Sequence, residues 1–347
     1  MIQGETKTEA QYRAIYLDSS SSLKDFSMDR KKYHKKYILN EVVEDEDSKA
    51  ATMGRMVETL LMEPHLFEEK FHISTCISTP TGLMLDFVEA LYKHTKEATA
   101  EDGTVTRTFE DMCKDAYVDS GFKIKLDAVL GKFIGSEAEI YYKEIREVRS
   151  KNLTVVTTKE IENAEKVVNE LRTNFATADI VNLVSDAQYS VYNQLQVEGY
   201  DVLDHKFKSM MDKVVVDHKA KTVQVYDLKC TWSVENFYNE YYLYRRAYIQ
   251  GYLYYIAAAF WATNNECGDY KILFPKFIVC DSTNYANPLV YAMTVTSWQD
   301  AYGGFEYKGR EYPGVKQLIE DLKWALSNDK WNISRENYIN NGLVNLN

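Results

Sequence analysis

Near Tyr189 the spacing of apolar residues along the chain changes from the helical three-to-four to the alternation of a strand, and no other feature restricts the fold as much. Upstream, Met53, Val57, Leu60 and Leu61 mark one face of a helix from Ser48 to Pro64, and Ile161, Ala164, Val167, Val168 and Leu171 mark another from Glu160 to Asn174. A capping box at Ser22-Leu23-Lys24-Asp25 predicts a further helix running towards Lys36. Residues 72–158 are less legible: a helix over Leu83–His94, a polar turn at Glu101-Asp102-Gly103, then shorter helices. Downstream, Tyr189–Val197, Lys206–Val216 and Thr222–Cys230 read as strands, with a turn at His218-Lys219-Ala220-Lys221. A helix over Glu235–Ala262, strands at Lys276–Asp281 and Leu289–Thr296, and a closing helix over Pro313–Leu326 follow. Helices first, then a sheet flanked by helices, predict an α/β or α+β core with a helical N-terminal and middle elaboration.

The 347 residues are read as one domain, 1–347. Within it, 15–70 supplies N-terminal helices, 72–185 a helical elaboration, 186–300 the sheet and its helix, and 301–347 a C-terminal helix and tail. Hydrophobic residues make up 45% of the chain, with 27 Tyr and 14 Phe, enough to fill a large core and to exclude a disordered polymer. The start, Met1-Ile2-Gln3-Gly4-Glu5, has no secretory character. The longest apolar stretch, Tyr248–Thr263, is too short to span a bilayer, so a cytoplasmic protein without membrane contact is expected. Five scattered cysteines form no CxxC, and six histidines form no HExxH, which argues against disulfide frameworks and zinc hydrolases. The net charge of −11 excludes a protein that coats nucleic acid by bulk positive charge. It leaves room for a local patch such as Arg30-Lys31-Lys32-Tyr33-His34-Lys35-Lys36, just before the acidic run Glu44-Asp45-Glu46-Asp47; a solvated charged helix and loop is the other reading of that stretch.

The strongest chemical signal lies in two adjacent strands. With 218–221 as the loop, Asp217 faces Thr222, and counting back along both strands sets Asp212 opposite Asp227 on one face, with Cβ atoms about 4.5–5.5 Å apart. Lys229 shares that face because side chains alternate, and Val214, Val216, Val223 and Val225 continue it as an apolar patch. Facing carboxylates repel unless a positive charge sits between them, and a hard divalent cation with oxygen ligands meets that need. A lysine beside such a cation can stabilise developing phosphate charge. The short D…DxK pattern also fits an ordinary hairpin with solvated polar residues.

Two further places carry polar residues in apolar company. Glu58 lies within Met56-Val57-Glu58-Thr59-Leu60-Leu61-Met62, where a carboxylate is costly unless paired or metal-bound, and Gly54, one turn earlier, allows close approach. Gln250 and Tyr254, at i and i+4 on the long helix with Arg246 one turn before, form a polar stripe that can face the sheet; helix packing with satisfied polar tips explains them equally.

Together these residues resemble the PD-(D/E)XK nuclease superfamily and, within it, the phage and prophage RecE-like exonucleases (exodeoxyribonuclease VIII), more distantly the lambda exonuclease and RecB nuclease types. The resemblance is carried by Asp18-Ser19-Ser20-Ser21-Ser22-Leu23-Lys24-Asp25-Phe26, by Gly54 to Phe67 with Glu58, Glu63 and Pro64, by Met211-Asp212 and Asp227-Leu228-Lys229, and by Gln250-x-x-x-Tyr254. It covers roughly residues 15–70 and 150–300. It implies a restriction-endonuclease-like core with a mixed central sheet, and a Mg²⁺-dependent exonuclease acting on double-stranded DNA ends in phage-type recombination or replication. Mn²⁺ would substitute. In that reading Asp212, Asp227 and the Leu228 carbonyl hold the metal, Lys229 acts on the attacking water and the scissile phosphate, and Glu58 joins the metal and catalytic set where RecE-like proteins have His. Gln250, Tyr254, Arg246, Lys31, Lys32 and Lys35 would contact DNA or orient the site, with Arg30–Lys36 and Arg245-Arg246 as channel walls. A single-strand annealing protein is the family's usual partner, and some members form homo-oligomeric rings. Three departures stand out: Met211 replaces the signature proline, Glu58 replaces His, and Gln188 stands near the place of a frequent Glu. An endonuclease on the same core and a non-catalytic DNA-end-binding scaffold are the alternative functions.

Overall fold

The computed structural model describes residues 7–41, 48–100, 102–283 and 285–344. The acidic run Glu44–Asp47 and the first residue of the Glu101-Asp102-Gly103 turn lie outside them. Read from its sequence as one domain, the chain divides into two compact units, Met1–Glu63 with Glu165–Asn347, and Pro64–Ala164.

The larger unit is built on a mixed sheet of six strands: β1 (Tyr189–Asp201), β2 (Lys206–Asp217), β3 (Thr222–Thr231), β4 (Lys271–Ile272), β5 (Lys276–Asp281) and β6 (Leu289–Ala292). Their order is β1-β2-β3-β5-β6, with β4 also pairing β3. The β1–β2, β2–β3 and β5–β6 pairs are antiparallel, whereas β3 runs parallel to β4 and β5. The chain crosses from β3 to β5 through the helix Ala247–Thr263, as a parallel connection requires. The core forms between this helix and the sheet. Val214, Val216, Val223 and Val225 are fully buried in it, together with Tyr248, Leu253, Ala257 and Phe277.

The expected β2–β3 register is present, with Asp217 opposite Thr222 and Lys213 opposite Tyr226. Both faces of β2 are covered, and this had not been legible. Lys213, on the face away from the valines, is buried and donates to the backbone oxygens of Val181 and Leu183. Lys208 is likewise buried, giving its three protons to the carbonyls of Tyr12, Arg13 and Ile15 at the end of the helix Glu9–Arg13.

Several helices differ from expectation in instructive ways. The helix Ser20–Met28 is capped by Ser19 with Ser22, three residues before the predicted box, because the Ser-rich run offers several hydroxyls and the outermost one meets the chain's entry. Asp29 then leaves helical geometry and caps a separate turn, Arg30–Tyr33. The predicted helix Glu235–Ala262 is interrupted: a wide π-type turn, Tyr238–Tyr244, ends at Arg246, whose left-handed backbone (φ +56°) starts the helix Ala247–Thr263. The strand expected to reach Thr296 stops at Ala292, and Thr294 caps a helix, Val295–Gly303, with Ser297. The closing helix is Val315–Asn328. Helix Lys49–Met62 begins after Ser48 as expected, but Met56, Val57, Leu61 and Met62 bury its face, and Met53 and Leu60 stay half-exposed.

The smaller unit has its own core of Phe87, Leu91, Met112, Val129, Phe133 and Ile145. Its longer helices are Leu83–Glu97, Phe109–Ser120, Leu126–Phe133 and Glu137–Ser150, and Phe71–Ile73 pairs in parallel with Thr154–Val156. That two-stranded ladder had not been predicted, being too short to show a period. Among the described residues no helix is long and apolar enough to cross a membrane.

Candidate functional site

Asp212 and Asp227 meet where the β2–β3 ladder opens. Pairing ends at Lys213–Tyr226, and the backbone N–H of Leu228 donates instead to Asp212 Oδ2 at 2.7 Å. On the other side of β2, β1 is paired at Asn193–Lys213 and at Leu195–Met211 but not at the intervening Gln194, whose backbone is left-handed (φ +51°). The irregularity falls on the residue opposite Asp212. Local breaks of this kind in a ladder re-aim side chains and recur beside active sites.

Asp227 is completely buried. Its Oδ1 accepts from Gln250 Nε2 at 2.8 Å, and Lys229 Nζ lies 2.5 Å from its Oδ2. Lys229 is thus the charge partner of Oδ2, and Gln250 the donor to Oδ1. Gln250 Nε2 also donates to the Tyr254 hydroxyl, which donates to the Met210 carbonyl, tying helix Ala247–Thr263 to β2 beside Asp212. Gln250 and Tyr254 are both buried. They hold the carboxylate and the strand and present no surface for a DNA contact. Gly251 is the close approach that this packing needs: a Cβ there would stand 2.2 Å from Met293 Sδ and 3.3 Å from Phe277 Cζ. Gly54, singled out from the sequence for that role, is not required by space, since a Cβ would sit at an ordinary 3.9 Å from Cys230 Cβ.

Burial, reinforced by the Asp227 and Glu58 carboxylates, pushes the Asp212 carboxyl well above the usual carboxylate range. Burial acts to lower Lys229, but the Asp227, Asp212 and Glu58 charges outweigh it and hold the ammonium above the ordinary lysine range. Burial likewise pushes Tyr254 up, with the Asp212 and Asp227 charges acting in the same direction.

Sequence reasoning missed two members of this group. Lys24, on helix Ser20–Met28, donates to Gln250 Oε1 at 3.3 Å. Burial, with Lys229 nearby, pushes its ammonium down to about 8. Gln194 stands opposite Asp212 on β1 and its Nε2 donates to Glu58 Oε1 at 2.6 Å, whereas Gln188 lies at the hairpin end on Asp217. The Ser-rich helix start had pointed at the right segment for Lys24. Nothing local marks Gln194, because its role comes from a break in pairing.

Glu58, Asp212 and Asp227 influence one another but do not close into a three-carboxylate cage, and among the described residues no group of three or more His, Cys, Asp and Glu is arranged to hold a metal alone. Each carboxylate has its own donor in Gln194, Leu228 N–H or Gln250. Asp212, Asp227 and the Leu228 carbonyl remain a donor set suited to a hard divalent cation, which takes few carboxylates and completes its shell with water. The raised Asp212, buried beside the Asp227 and Glu58 charges, is the feature that such a cation would relieve.

The other predicted residues spread out. Arg30 pairs with Asp321 at 3.0 Å, and Lys32 and Lys36 turn to Asp25 at 3.8 and 3.6 Å. Lys31 and Lys35 are exposed. Arg245 is exposed and stacks over Tyr241 at 4.5 Å, close enough to lower Lys24. Arg246 is displaced from the expected stripe by its left-handed backbone, and its Nη1 is buried without a hydrogen-bond partner. All five cysteines are free, although the Cys230 and Cys280 sulfurs, opposite each other on β3 and β5, are 3.2 Å apart, a proximity that the scattered sequence positions do not suggest.

No family model matches the chain, and no curated protein matches it. Among solved structures it is similar to a protein from Eubacterium rectale described as a "putative exonuclease", with 14% identity and a TM-score of 0.48, over 98% of this chain and 89% of that one.

Proposed function

We propose that this protein is a Mg²⁺-dependent nuclease of the PD-(D/E)XK type that hydrolyses phosphodiester bonds of double-stranded DNA, releasing nucleotides from duplex ends. The observation that carries this reading is the pair of buried carboxylates, Asp212 and Asp227, at the open end of the β2–β3 ladder, with the Lys229 ammonium against Asp227. In our reading Asp212, Asp227 and the Leu228 carbonyl hold the cation, with Glu58 at its edge. Mg²⁺ bound there supplies Lewis-acid neutralisation of phosphate charge and lowers the pKa of a coordinated water. Mn²⁺ would do the same.

The chain's own groups account for the rest. Lys229, kept protonated by the surrounding carboxylates, offers an N–H to a non-bridging phosphate oxygen on which charge grows as water attacks in line and the bond to the leaving deoxyribose oxygen breaks. Gln250 fixes the Asp227 carboxylate by holding Oδ1, which turns Oδ2 towards Lys229. Lys24 fixes Gln250 in turn by donating to its oxygen, so that the amide keeps its N–H towards Asp227. Exposed Arg245, Lys31 and Lys35 are our choices for contacts to the DNA backbone. A cytoplasmic role in phage-type recombination, with a single-strand annealing partner or a homo-oligomeric ring, belongs to the same proposal.

The test is nucleotide release from 5′- and 3′-labelled linear duplexes in Mg²⁺, beside closed circular DNA. Release from one labelled end, abolished in Asp227→Ala, is expected. Cutting of closed circles would replace the exonuclease by an endonuclease. Binding of ends without release in Mg²⁺ or Mn²⁺ would leave a scaffold, and wild-type rates in Asp227→Ala would remove the site.

A further inference from the structure

Two of the five cysteines meet behind the carboxylate site. Cys230 on β3 and Cys280 on β5 lie 50 positions apart in the chain and are direct partners in the parallel ladder, with their sulfurs 3.2 Å apart. Cys76 donates instead to Glu144, and Cys113 and Cys267 are packed into the two cores. Within the pair Cys280 is buried and Cys230 only half-buried, so one sulfur is open to a reagent and the other is held behind it.

The thiol protons run towards Lys229. The Cys280 thiol donates to the Lys229 carbonyl at 3.6 Å, which leaves the Cys230 thiol to donate to the Cys280 sulfur. Cys230 follows Lys229 in β3, and its carbonyl accepts the Tyr241 hydroxyl at 2.7 Å. Its Cβ also abuts the helix that carries Glu58, 3.9 Å from where a Cβ on Gly54 would stand. A buried cysteine often serves only as a small apolar filler. Filling does not require two thiols in register, whereas neighbouring strands, about 4.8 Å apart, fall within the Cα separation of roughly 4.4–6.8 Å that a disulfide spans.

We infer that Cys230 and Cys280 are a redox-active dithiol that closes to an intrachain disulfide by exchange with a small disulfide of the glutathione type, and that closure slows hydrolysis at the adjoining carboxylate site. The slowing rests on the nuclease reading of that site. The exchange has two steps. The accessible Cys230 sulfur gives up its proton, attacks one sulfur of oxidised glutathione and expels the other as a thiolate; the Cys280 sulfur then gives up its proton, attacks Cys230 in the mixed disulfide and expels the second glutathione. Two cysteine thiols are oxidised, one glutathione disulfide is reduced to two thiols, and the two protons end on them. Closure draws the sulfurs from 3.2 Å to about 2.05 Å and removes the proton that Cys280 gives to the Lys229 carbonyl. Both changes fall on the strand that aims Lys229 at Asp227.

The experiment treats the full chain with oxidised glutathione, alkylates the remaining thiols and maps the peptides by mass spectrometry. A peptide pair linked through Cys230 and Cys280 is expected, and dithiothreitol should return all five cysteines to the alkylated form. In Cys280→Ser the second step has no nucleophile, so a glutathione adduct should persist on Cys230. The wild-type map stands without any variant, should a substitution unfold the chain. Oxidised wild type, freed of reagent, should release nucleotides from labelled linear duplexes in Mg²⁺ at least about tenfold more slowly than reduced wild type, since a misplacement of about 1 Å can cost a hundredfold. Cys230→Ser/Cys280→Ser should digest at one rate with and without the oxidant. Five alkylated cysteines after oxidant, or linkage of either sulfur to a different cysteine, overturns the inference, as does a linked protein that digests as fast as the reduced one. A linked peptide in a protein that digests nothing even when reduced removes the nuclease reading and leaves the dithiol.

Discussion

The Asp212 carboxylate accepts the backbone N–H of Leu228 at 2.7 Å, taking a bond that a continuing ladder would have given to a carbonyl of β2. One side chain thus ends the β2–β3 pairing and places its own charge beside Asp227. The cost shows in its protonation: burial and the neighbouring Asp227 and Glu58 carboxylates raise it far above an ordinary Asp.

The two roles of Asp212 can be separated by substitution. Asp212→Asn keeps an acceptor for Leu228 N–H and removes the buried charge; Asp212→Ala leaves that N–H without a partner, a loss of about 1–3 kcal/mol. A carboxyl raised on folding makes stability fall as pH rises from its unfolded value through its folded one. Urea unfolding of the metal-free protein at pH 7 should therefore rank Asp212→Asn at or above wild type and Asp212→Ala below it, with neither active. A less stable Asp212→Asn would mean that the carboxylate is not under strain.

Glu58 is held by Gln194 and contributes charge to the group. If it lies at the edge of the cation site, Glu58→Ala should weaken Mn²⁺ binding in a calorimetric titration about tenfold to a hundredfold, in the range seen when groups supporting a metal site are removed. Unchanged stoichiometry and affinity would assign Glu58 to packing alone.

The Lys24 ammonium is pushed down to about 8 by burial and by Lys229. A lysine lowered on folding loses its charge as pH rises through the folded value. If that charge orients Gln250, the kcat/KM of the wild type should fall above about pH 8, and the fall should move to higher pH in Lys24→Arg, whose guanidinium stays protonated. Coincident profiles would mean that Lys24 acts by shape alone.

Lys213, buried on the opposite face of β2, is also pushed down to about 8 by burial. Between about pH 8 and the ordinary lysine value the unfolded chain binds more protons than the folded one, so this residue makes stability rise with pH in that window. Wild type should gain on Lys213→Met by about 1–2 kcal/mol between pH 7.5 and 9.5, read from paired denaturant titrations. A constant difference would place the ammonium in contact with water.

Much was legible where a period was long enough to read. The three strands from Tyr189 onwards, the turn at 218–221 and the register from Asp217–Thr222 to Lys213–Tyr226 follow from alternation and turn chemistry; the expected Asp212–Asp227 pair lies one step past the end of that ladder. Gln250 and Tyr254 were placed correctly on one stripe, because i and i+4 always share a helical face. Their burial and their partners were not legible.

The sequence by itself determined which residues share a face, since pleat and helix periods are properties of the local backbone. Tertiary structure decided what those faces meet. Lys24 reaches Gln250 across 226 positions and Gln194 reaches Glu58 across 136, distances over which no local pattern carries information. Arg246 left its expected stripe because one left-handed residue rotates everything before it, and Asp212 left the ladder because its side chain competed successfully for a backbone donor. These contacts depend on a whole core closing around them, and burial then sets the charge state of every group in the site.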